Sequence, residues 1–529
     1  MKKKVFPFFI CLAAVLCAVS CNDFLDQLPD NRTTLDSEDK IARMLTSCYP
    51  EVSHAMFTEY MSDNADDNGK TNPYTDRFFD QIWHWEDITE DNNDSPENFW
   101  NSAYSALAGA NEALAAIEAL EAEGRGSAFL SECKAEALLC RAYEAFMLVN
   151  IFSLNYNSVT GSSDLGVPFP TEPQDGASAI TDRGTVAGVY EQIDRDLQEA
   201  LPLVGDEHLD VPKYHFNKQA AYAFACRFYL YWEKWEEAEK WADKLLGSDP
   251  SPLLRDNEYA GSLPFDYDNM CRHYIDAALS CNLLLATSYS YIGLATGPFY
   301  TYSRYSHDEY LATQEDVHAL NVWGPHPLFV TAYSYRLDNI NLVVFFRFPF
   351  LFEYIDEVAG IGYIHSDSPL FTTDECLLNR AEARILQGKY DAAVADLNLW
   401  CRNMVNNPDE LTAESIQSFY NGVAYSYDSD YKAGTVKKHL HPAFPIGEEG
   451  SLQECLLQCV LGFRRIEMLQ SGHRWFDIKR YGIEIPRRVL DIDGNPSDLV
   501  DVLKRDDPRR AIQLPAKVIS AGMDANPRK

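Results

Sequence analysis

The sequence predicts a mainly α protein, with tetratricopeptide-like helix pairs forming a curved scaffold, long irregular loops and little β structure. Three observations predict it. Apolar residues recur at helical spacing over most of the first 250 residues and again after residue 373. Two distant segments share a helix–turn–helix pattern with small residues where the helices cross. Between them, residues 251–372 lose helical period and are rich in Tyr, Pro, Gly and His.

In chain order, residues 99–122 read as a long alanine-rich helix. Residues 131–152 place Leu138, Ala142, Ala145, Phe146 and Val149 on one side of a second. Residues 185–201 carry an apolar stripe of Val186, Val189, Ile193, Leu197 and Ala200, with Thr181-Asp182 as its start signal. The first helix pair spans 217–246 and breaks at Glu233-Lys234 before Trp235. The second spans 373–404 and breaks at Gln387-Gly388 before Tyr390. Their irregular spacing excludes a regular solenoid. The apolar stretch 342–352 is interrupted by Arg347 and Pro349, so it reads as buried strand or loop, not a membrane span. Long loops in a compact protein are usually functional, which directs attention to 251–372 and, on a smaller scale, to 62–98.

The N-terminus is a separate signal. Lys2, Lys3 and Lys4 precede an apolar run over 5–19, and Ala18-Val-Ser leads to Cys21. A basic start, a short apolar run and small residues before a cut describe a secretory leader, too short to span a bilayer comfortably. Residues 1–20 are therefore expected to be a lipoprotein signal peptide. Cys21 is then the first mature residue and the lipidation site, carrying palmitate-type acyl chains that together hold a protein on a membrane.

Composition removes one class of partner. With 80 acidic against 45 basic residues, the net charge of −35 repels phosphates, so nucleic acid is excluded. The cysteines after Cys21 include no CxxC pair. Those in helical stretches, among them Cys133, Cys140, Cys226, Cys376, Cys455 and Cys459, read as small core residues, with one or two disulfides as the alternative.

No catalytic residue is assigned. Nucleophile elbows, phosphate loops and zincin helices are missing. A two-carboxylate glycosidase needs no local motif and stays as the enzymatic alternative. Residues 464–480 carry Arg464, Arg465, Glu467, Arg474, Asp477, Lys479 and Arg480. They read as a structural ion network in preference to an anion clamp. Arg474 meets Asp477 three positions on, and Glu467 is available to a forked arginine. The acidic run from Asp63 to Asp67 reads as a solvated loop. Calcium is the alternative there, and no other metal or cofactor is expected.

Binding is the better-supported chemistry. Sugar rings present apolar C–H faces that stack on aromatic rings, while their hydroxyls take hydrogen bonds. An exposed aromatic shelf in the loops would serve. The candidates are Tyr74, Trp83, Trp85, Tyr300, Tyr302, Tyr305 and Trp323, with Arg304 and His326 as polar neighbours. Trp100, Trp232, Trp235, Trp241, Trp400 and Trp475 lie on helices and are assigned to packing.

Several segments, in order, resemble the SusD/RagB family. They are Cys21-Asn-Asp-Phe-Leu-Asp-Gln-Leu-Pro, Trp100-Asn-Ser-Ala-Tyr, Glu136-Ala-Leu-Leu-Cys-Arg-Ala-Tyr with Gly166-Val-Pro-Phe-Pro, and Asn379-Arg-Ala-Glu-Ala with Gly388-Lys-Tyr. Arg464-Arg-Ile-Glu-Met followed by Gly472-His-Arg-Trp-Phe-Asp-Ile-Lys-Arg-Tyr-Gly is the most specific, and Gln513-Leu-Pro-Ala and Asn526-Pro close the match. The chain departs from the family by ending at Lys529 without a Gln-Asn-Pro-Gly-Tyr tail.

The resemblance implies one SusD-like unit over 21–529: a helical part to 250, a loop-rich insertion over 251–372 and a C-terminal helical part from 373. It also implies a non-enzymatic, surface-exposed, lipid-anchored protein of the cell outer membrane. Such a protein captures glycan and delivers it to a SusC-like TonB-dependent transporter for nutrient uptake and polysaccharide utilisation. Acidic residues just after Cys21, Asp23 and Asp26, resemble the family's surface-export signal. The alternatives are a periplasmic protein-binding scaffold, a surface glycoside hydrolase and a peptide-binding RagB-like protein.

Overall fold

The computed structural model describes residues 35–528 except 70, 71, 73, 175–181, 301, 302, 331, 332, 336–340 and 429. The leader and Cys21 lie outside the described residues.

The first part contains α1 (Glu38–Leu45), α2 (Ala55–Met61), the short strand β1 (Asp66–Asp67), α3 (Arg77–Trp83), α4 (Pro96–Ala122), α5 (Ala128–Phe152), α6 (Val186–Ala200), α7 (Lys218–Tyr231) and α8 (Trp235–Leu246). Local chemistry sets the helix starts. The Ser95 hydroxyl accepts the Asn98 N–H, and Pro96 occupies the first turn, where a missing N–H costs nothing. Ser127 caps α5 in the same way through the Leu130 N–H at 3.0 Å. Helix α6 is capped by Thr185, which accepts the Gly188 N–H at 3.1 Å, and not by Thr181-Asp182. Thr185 stands immediately before the first apolar turn, whereas Asp182 accepts the Gly184 N–H in the preceding turn. Helix α5 is buried on every side from Ala135 to Phe152, so it is the central post against which α4, α6 and α7 pack.

The middle part is α9 (Asn257–Ser262), α10 (Tyr267–Tyr274), β2 (Asn282–Ser288), α11 (Ile292–Ala295), β3 (Tyr305–Ser306), α12 (Glu309–Gln314), β4 (Tyr333–Tyr335), β5 (Leu342–Val344), β6 (Leu351–Asp356) and β7 (Ile361–Thr372). It holds more strand than its sequence suggests. β2, β7 and β6 form an antiparallel sheet, and β4 pairs with β5. Strand β2 is buried on both faces over Asn282, Leu283, Leu284, Leu285 and Ala286. It therefore lacks the alternation that marks a half-exposed strand.

The C-terminal part is α13 (Thr373–Leu386), α14 (Tyr390–Met404), α15 (Ala413–Gly422), α16 (Leu452–Glu467), α17 (Arg474–Arg480), β8 (Ile485–Leu490), β9 (Pro496–Leu503) and α18 (Ala516–Ser520). The predicted pairs are α7/α8 and α13/α14. They join directly, because α8 packs on α13, and α16 packs on the same helix. A four-stranded sheet of order β3-β1-β8-β9 takes strands from all three parts of the chain. No described helix is long and apolar enough to cross a membrane. Ten described cysteines, from Cys48 to Cys459, are buried and unpaired, as small core residues are.

The charged C-terminal motif is interior. Arg464 forks onto Asp477 at 2.9 and 3.0 Å, and Arg480 reaches Asp477 at 3.2 Å and also binds Glu382. Arg474 does not meet Asp477. It forks onto Asp63 at 2.8 and 2.9 Å, because α17 packs on α2 and brings the start of the chain within reach. Glu467 is not forked by an arginine; its carboxylate accepts the Trp400 indole N–H at 2.9 Å. The acidic run is likewise no solvated loop. Asp63, Asp66 and Asp67 are buried and face Arg474, Arg488 and Arg304. Glu315 completes the network with Lys438 at 2.6 Å, Arg465 at 3.1 Å and Arg488 at 2.9 Å. Burial alone would raise the Asp63 and Glu315 carboxyls, but the surrounding cations outweigh it and hold both well below the usual range. Burial pushes the Lys438 ammonium down to about 8.

Candidate functional site

The proposed aromatic shelf divides in two. Trp83 is fully buried at the end of α3, donates its indole N–H to the Ala65 carbonyl at 3.0 Å and stacks on Tyr305 at 4.7 Å. Tyr305 is buried in β3 and donates its hydroxyl to Asp80 at 2.8 Å. Trp85 donates to the Met61 carbonyl at 2.9 Å beneath the Arg487 guanidinium. Trp323 packs on Trp400 and Phe463 and donates to the His326 carbonyl. These four rings are core, not shelf, because each is buried and each polar tip is satisfied indoors. His326 lies beside Asp409, at 3.7 Å, in the same neighbourhood as Trp323. Tyr302 lies outside the described residues.

Tyr74, Tyr300 and Arg304 do come together. Tyr74 is 47% exposed, and its ring lies 5.0 Å from that of Tyr300. The Arg304 N–H donates to the Tyr74 carbonyl at 2.8 Å, while its guanidinium forks onto Asp67 at 2.9 and 2.7 Å. Burial pushes the Tyr300 phenol up to about 12, so it stays a neutral hydrogen-bonding ring.

From this pair a ridge of rings continues that the sequence reading did not select. Phe299, next to Tyr300 and 45% exposed, meets Tyr267 at 5.0 Å. Tyr267 meets Phe346 at 5.7 Å, and Phe346 meets Phe265 at 5.2 Å. Phe265 is 47% exposed. Local folding explains the ridge. Asp266 caps α10 through the Asn269 N–H at 3.0 Å, which sets Tyr267 at the first helical position. The Tyr267 hydroxyl is pinned between the Phe348 carbonyl at 3.0 Å and the Phe350 N–H at 2.6 Å. Two glycines permit the close approach. A Cβ on Gly293 would lie 2.3 Å from the Pro349 carbonyl oxygen. One on Gly297 would crowd the Gly293 carbonyl oxygen at 2.4 Å and the rings of Tyr267 and Phe299. The signal was available in Gly297-Pro-Phe-Tyr, but attention to Trp and Tyr passes over phenylalanines, and Tyr267 carries no local mark that separates it from a core tyrosine.

The ridge is thus two groups of partly exposed rings, Tyr74–Tyr300 and Phe299–Tyr267–Phe346–Phe265, joined through the chain at Phe299-Tyr300, with neighbouring centroids 5.0 to 5.7 Å apart and rings tilted or edge-to-face. Such a surface suits ligands with C–H faces. No group of three or more metal-ligating side chains occurs among the described residues.

Comparison with known proteins places this architecture. A family model described as "Starch-binding associating with outer membrane" matches residues 23–230, and the model of the SusD family matches residues 343–519. Among solved structures, a SusD superfamily protein from Bacteroides thetaiotaomicron is 18% identical, with 94% of this chain and 100% of that chain covered and a TM-score of 0.61. A SusD-like carbohydrate binding protein from Bacteroides vulgatus is 17% identical, with 92% and 96% covered and a TM-score of 0.60. A SusD superfamily protein from Bacteroides fragilis is 14% identical, with 93% and 99% covered and a TM-score of 0.58. No curated protein matches the chain. The two family models match successive segments of the chain, and the solved structures share its fold nearly end to end: the chain belongs to the SusD/RagB family.

Proposed function

We propose that this protein captures glycans on the ridge running from Tyr74 through Tyr300, Phe299, Tyr267 and Phe346 to Phe265, without turning them over. It is held on the outer face of the outer membrane by acyl chains on Cys21, and it delivers its ligand to a SusC-like TonB-dependent transporter. The observation that carries this reading is the ridge itself. Monomeric proteins rarely leave a row of large rings at the surface without a use for it. Membership of a family whose model is described as starch-binding and associating with the outer membrane supports the choice of glycan and of location.

The test is binding of the mature protein, beginning after Cys21, to panels of polysaccharides, oligosaccharides and peptides, with the same mixtures checked for cleavage. Saturable glycan binding without products is expected. Phe299→Ala and Tyr74→Ala should each weaken it by about fivefold, the worth of roughly 1 kcal/mol per stacked ring. Cleavage products would replace this reading with a glycosidase, and binding of peptides alone would change the ligand class. Co-purification of the lipidated protein with an outer-membrane transporter tests the partnership, and recovery of the protein alone would count against it.

A further inference from the structure

At its Phe265–Phe346 end the ridge runs into a pocket lined by Arg255, Asn257, Phe265, His273, Phe346 and Glu467. Its apolar walls include Met270 and Met404. Three polar atoms of these lining residues have no partner among the described residues: Arg255 Nε, Asn257 Nδ2 and His273 Nε2. Arg255 and Asn257 are only 4% and 3% exposed, so water does not relieve them freely. Folded proteins rarely leave buried donors unmet, because each costs the full loss of its hydration.

The geometry around Arg255 is fixed. One terminal nitrogen donates to the Tyr274 carbonyl at 3.0 Å and the other to Asn282 Oδ1 at 2.7 Å. The guanidinium lies over the Tyr274 ring at 4.2 Å. Its Nε–H is what remains. Burial, with Arg255 adding to it, lowers the His273 pKa and keeps that imidazole neutral.

Each carboxylate nearby already accepts at least one hydrogen bond. Glu467 accepts the Trp400 indole N–H at 2.9 Å. Asp374 accepts the Arg255 backbone N–H at 3.2 Å and the Asn403 side-chain amide at 3.2 Å. The unmet capacity on Arg255 and Asn257 is therefore for donation, from a permanently charged guanidinium and an amide, and the neutral His273 imidazole adds a donor in the tautomer that carries its proton on Nε2. Such a set asks for a group that only accepts, and a carboxylate does so with two oxygens. The aromatic rings alongside ask for a flat apolar face attached to it.

We propose that this pocket seats a carboxylate-bearing sugar ring, a hexuronic acid residue, at one end of a glycan laid along the ridge. The proposal rests on the ridge reading and narrows it to acidic glycans. Calorimetric titration of the full mature protein with glucuronate and galacturonate, each beside glucose or galactose, tests it. A uronate should bind about tenfold or more tighter than its neutral counterpart. Asn257→Ala and His273→Ala, each checked by its melting curve, should remove most of that preference. Neither should change the binding of neutral oligosaccharides, which Phe299→Ala should weaken. Neutral sugars binding as tightly as uronates would overturn the proposal, as would both pocket variants binding uronate like the parent. Neutral oligosaccharide binding that survives such a result and still depends on Phe299 would leave the ridge standing alone. Failure of every glycan to bind would remove both.

Discussion

Two buried groups show how much single side chains carry. Glu144, on the central helix, is fully buried, and neither carboxylate oxygen has a partner among the described residues. Burial pushes its carboxyl well above the usual range. The unfolded chain ionises this group in the ordinary carboxylate range and the folded one does not, so its burial costs more stability as pH rises. Glu144→Gln should therefore raise the melting temperature at pH 8 by the equivalent of about 1–3 kcal/mol, with a smaller gain at pH 4. Equal gains at both pH values would show that ionisation is not the cause. Arg474 is the opposite case, a buried cation whose partner is buried too. Arg474→Ala leaves Asp63 half-neutralised and should cost about 3–5 kcal/mol in denaturant unfolding. The sequence marked Arg474 as part of a structural network, but its partner was illegible there. Asp63 is 411 residues away and only tertiary packing brings them together.

Among elements, the helix pairs were the most legible because their period and break residues are local. The two turns match in detail. Gly388 at φ +75° and Glu233 at φ +61° occupy the same place after their first helices. A Cβ on Gly388 would meet nothing within 4 Å, so only backbone conformation opposes substitution. Gly388→Ala should cost about 1–2 kcal/mol, measured by chemical denaturation. A neutral result would mean that the turn relaxes. The middle part was less legible. Strand β2 is buried on both faces and so lacks alternation, and β1 and β3 are two residues each. The ridge was one-third legible: of its six rings Tyr74 and Tyr300 were selected, while Phe265, Tyr267, Phe299 and Phe346 were not. Trp83, Trp85, Tyr305 and Trp323 were selected from segments read as loops, yet Trp83 ends α3, Tyr305 lies in β3 and all four are buried.

For the whole molecule, the ion network holds together parts of the chain that the sequence separates. Asp63 and Asp66 come from the first part, Glu315 from the middle, and Arg465, Arg474 and Arg488 from the last. Asp63 and Glu315 have carboxyls depressed by these cations, so the stability they contribute is present above the ordinary carboxylate range and lost as pH falls through and below it. Thermal melts should show a stability that declines steeply below about pH 4.5. Because the network spans all three parts, their unfolding should stay one coincident transition by near- and far-ultraviolet dichroism. Separate transitions would show that the parts are not coupled through it.

The sequence alone determined the leader-like start, the helical class, the positions of the two helix pairs and the family resemblance. Each rests on residues close together in the chain: a run, a period, a cap or a motif. Tertiary structure decided which arginine meets which acid, which aromatic rings face solvent and where the unmet donors gather. Those depend on how loops fold back over a core, and burial is set by what packs from afar. A tryptophan in a loop and a phenylalanine in a loop look alike as sequence until the rest of the chain covers one and leaves the other exposed.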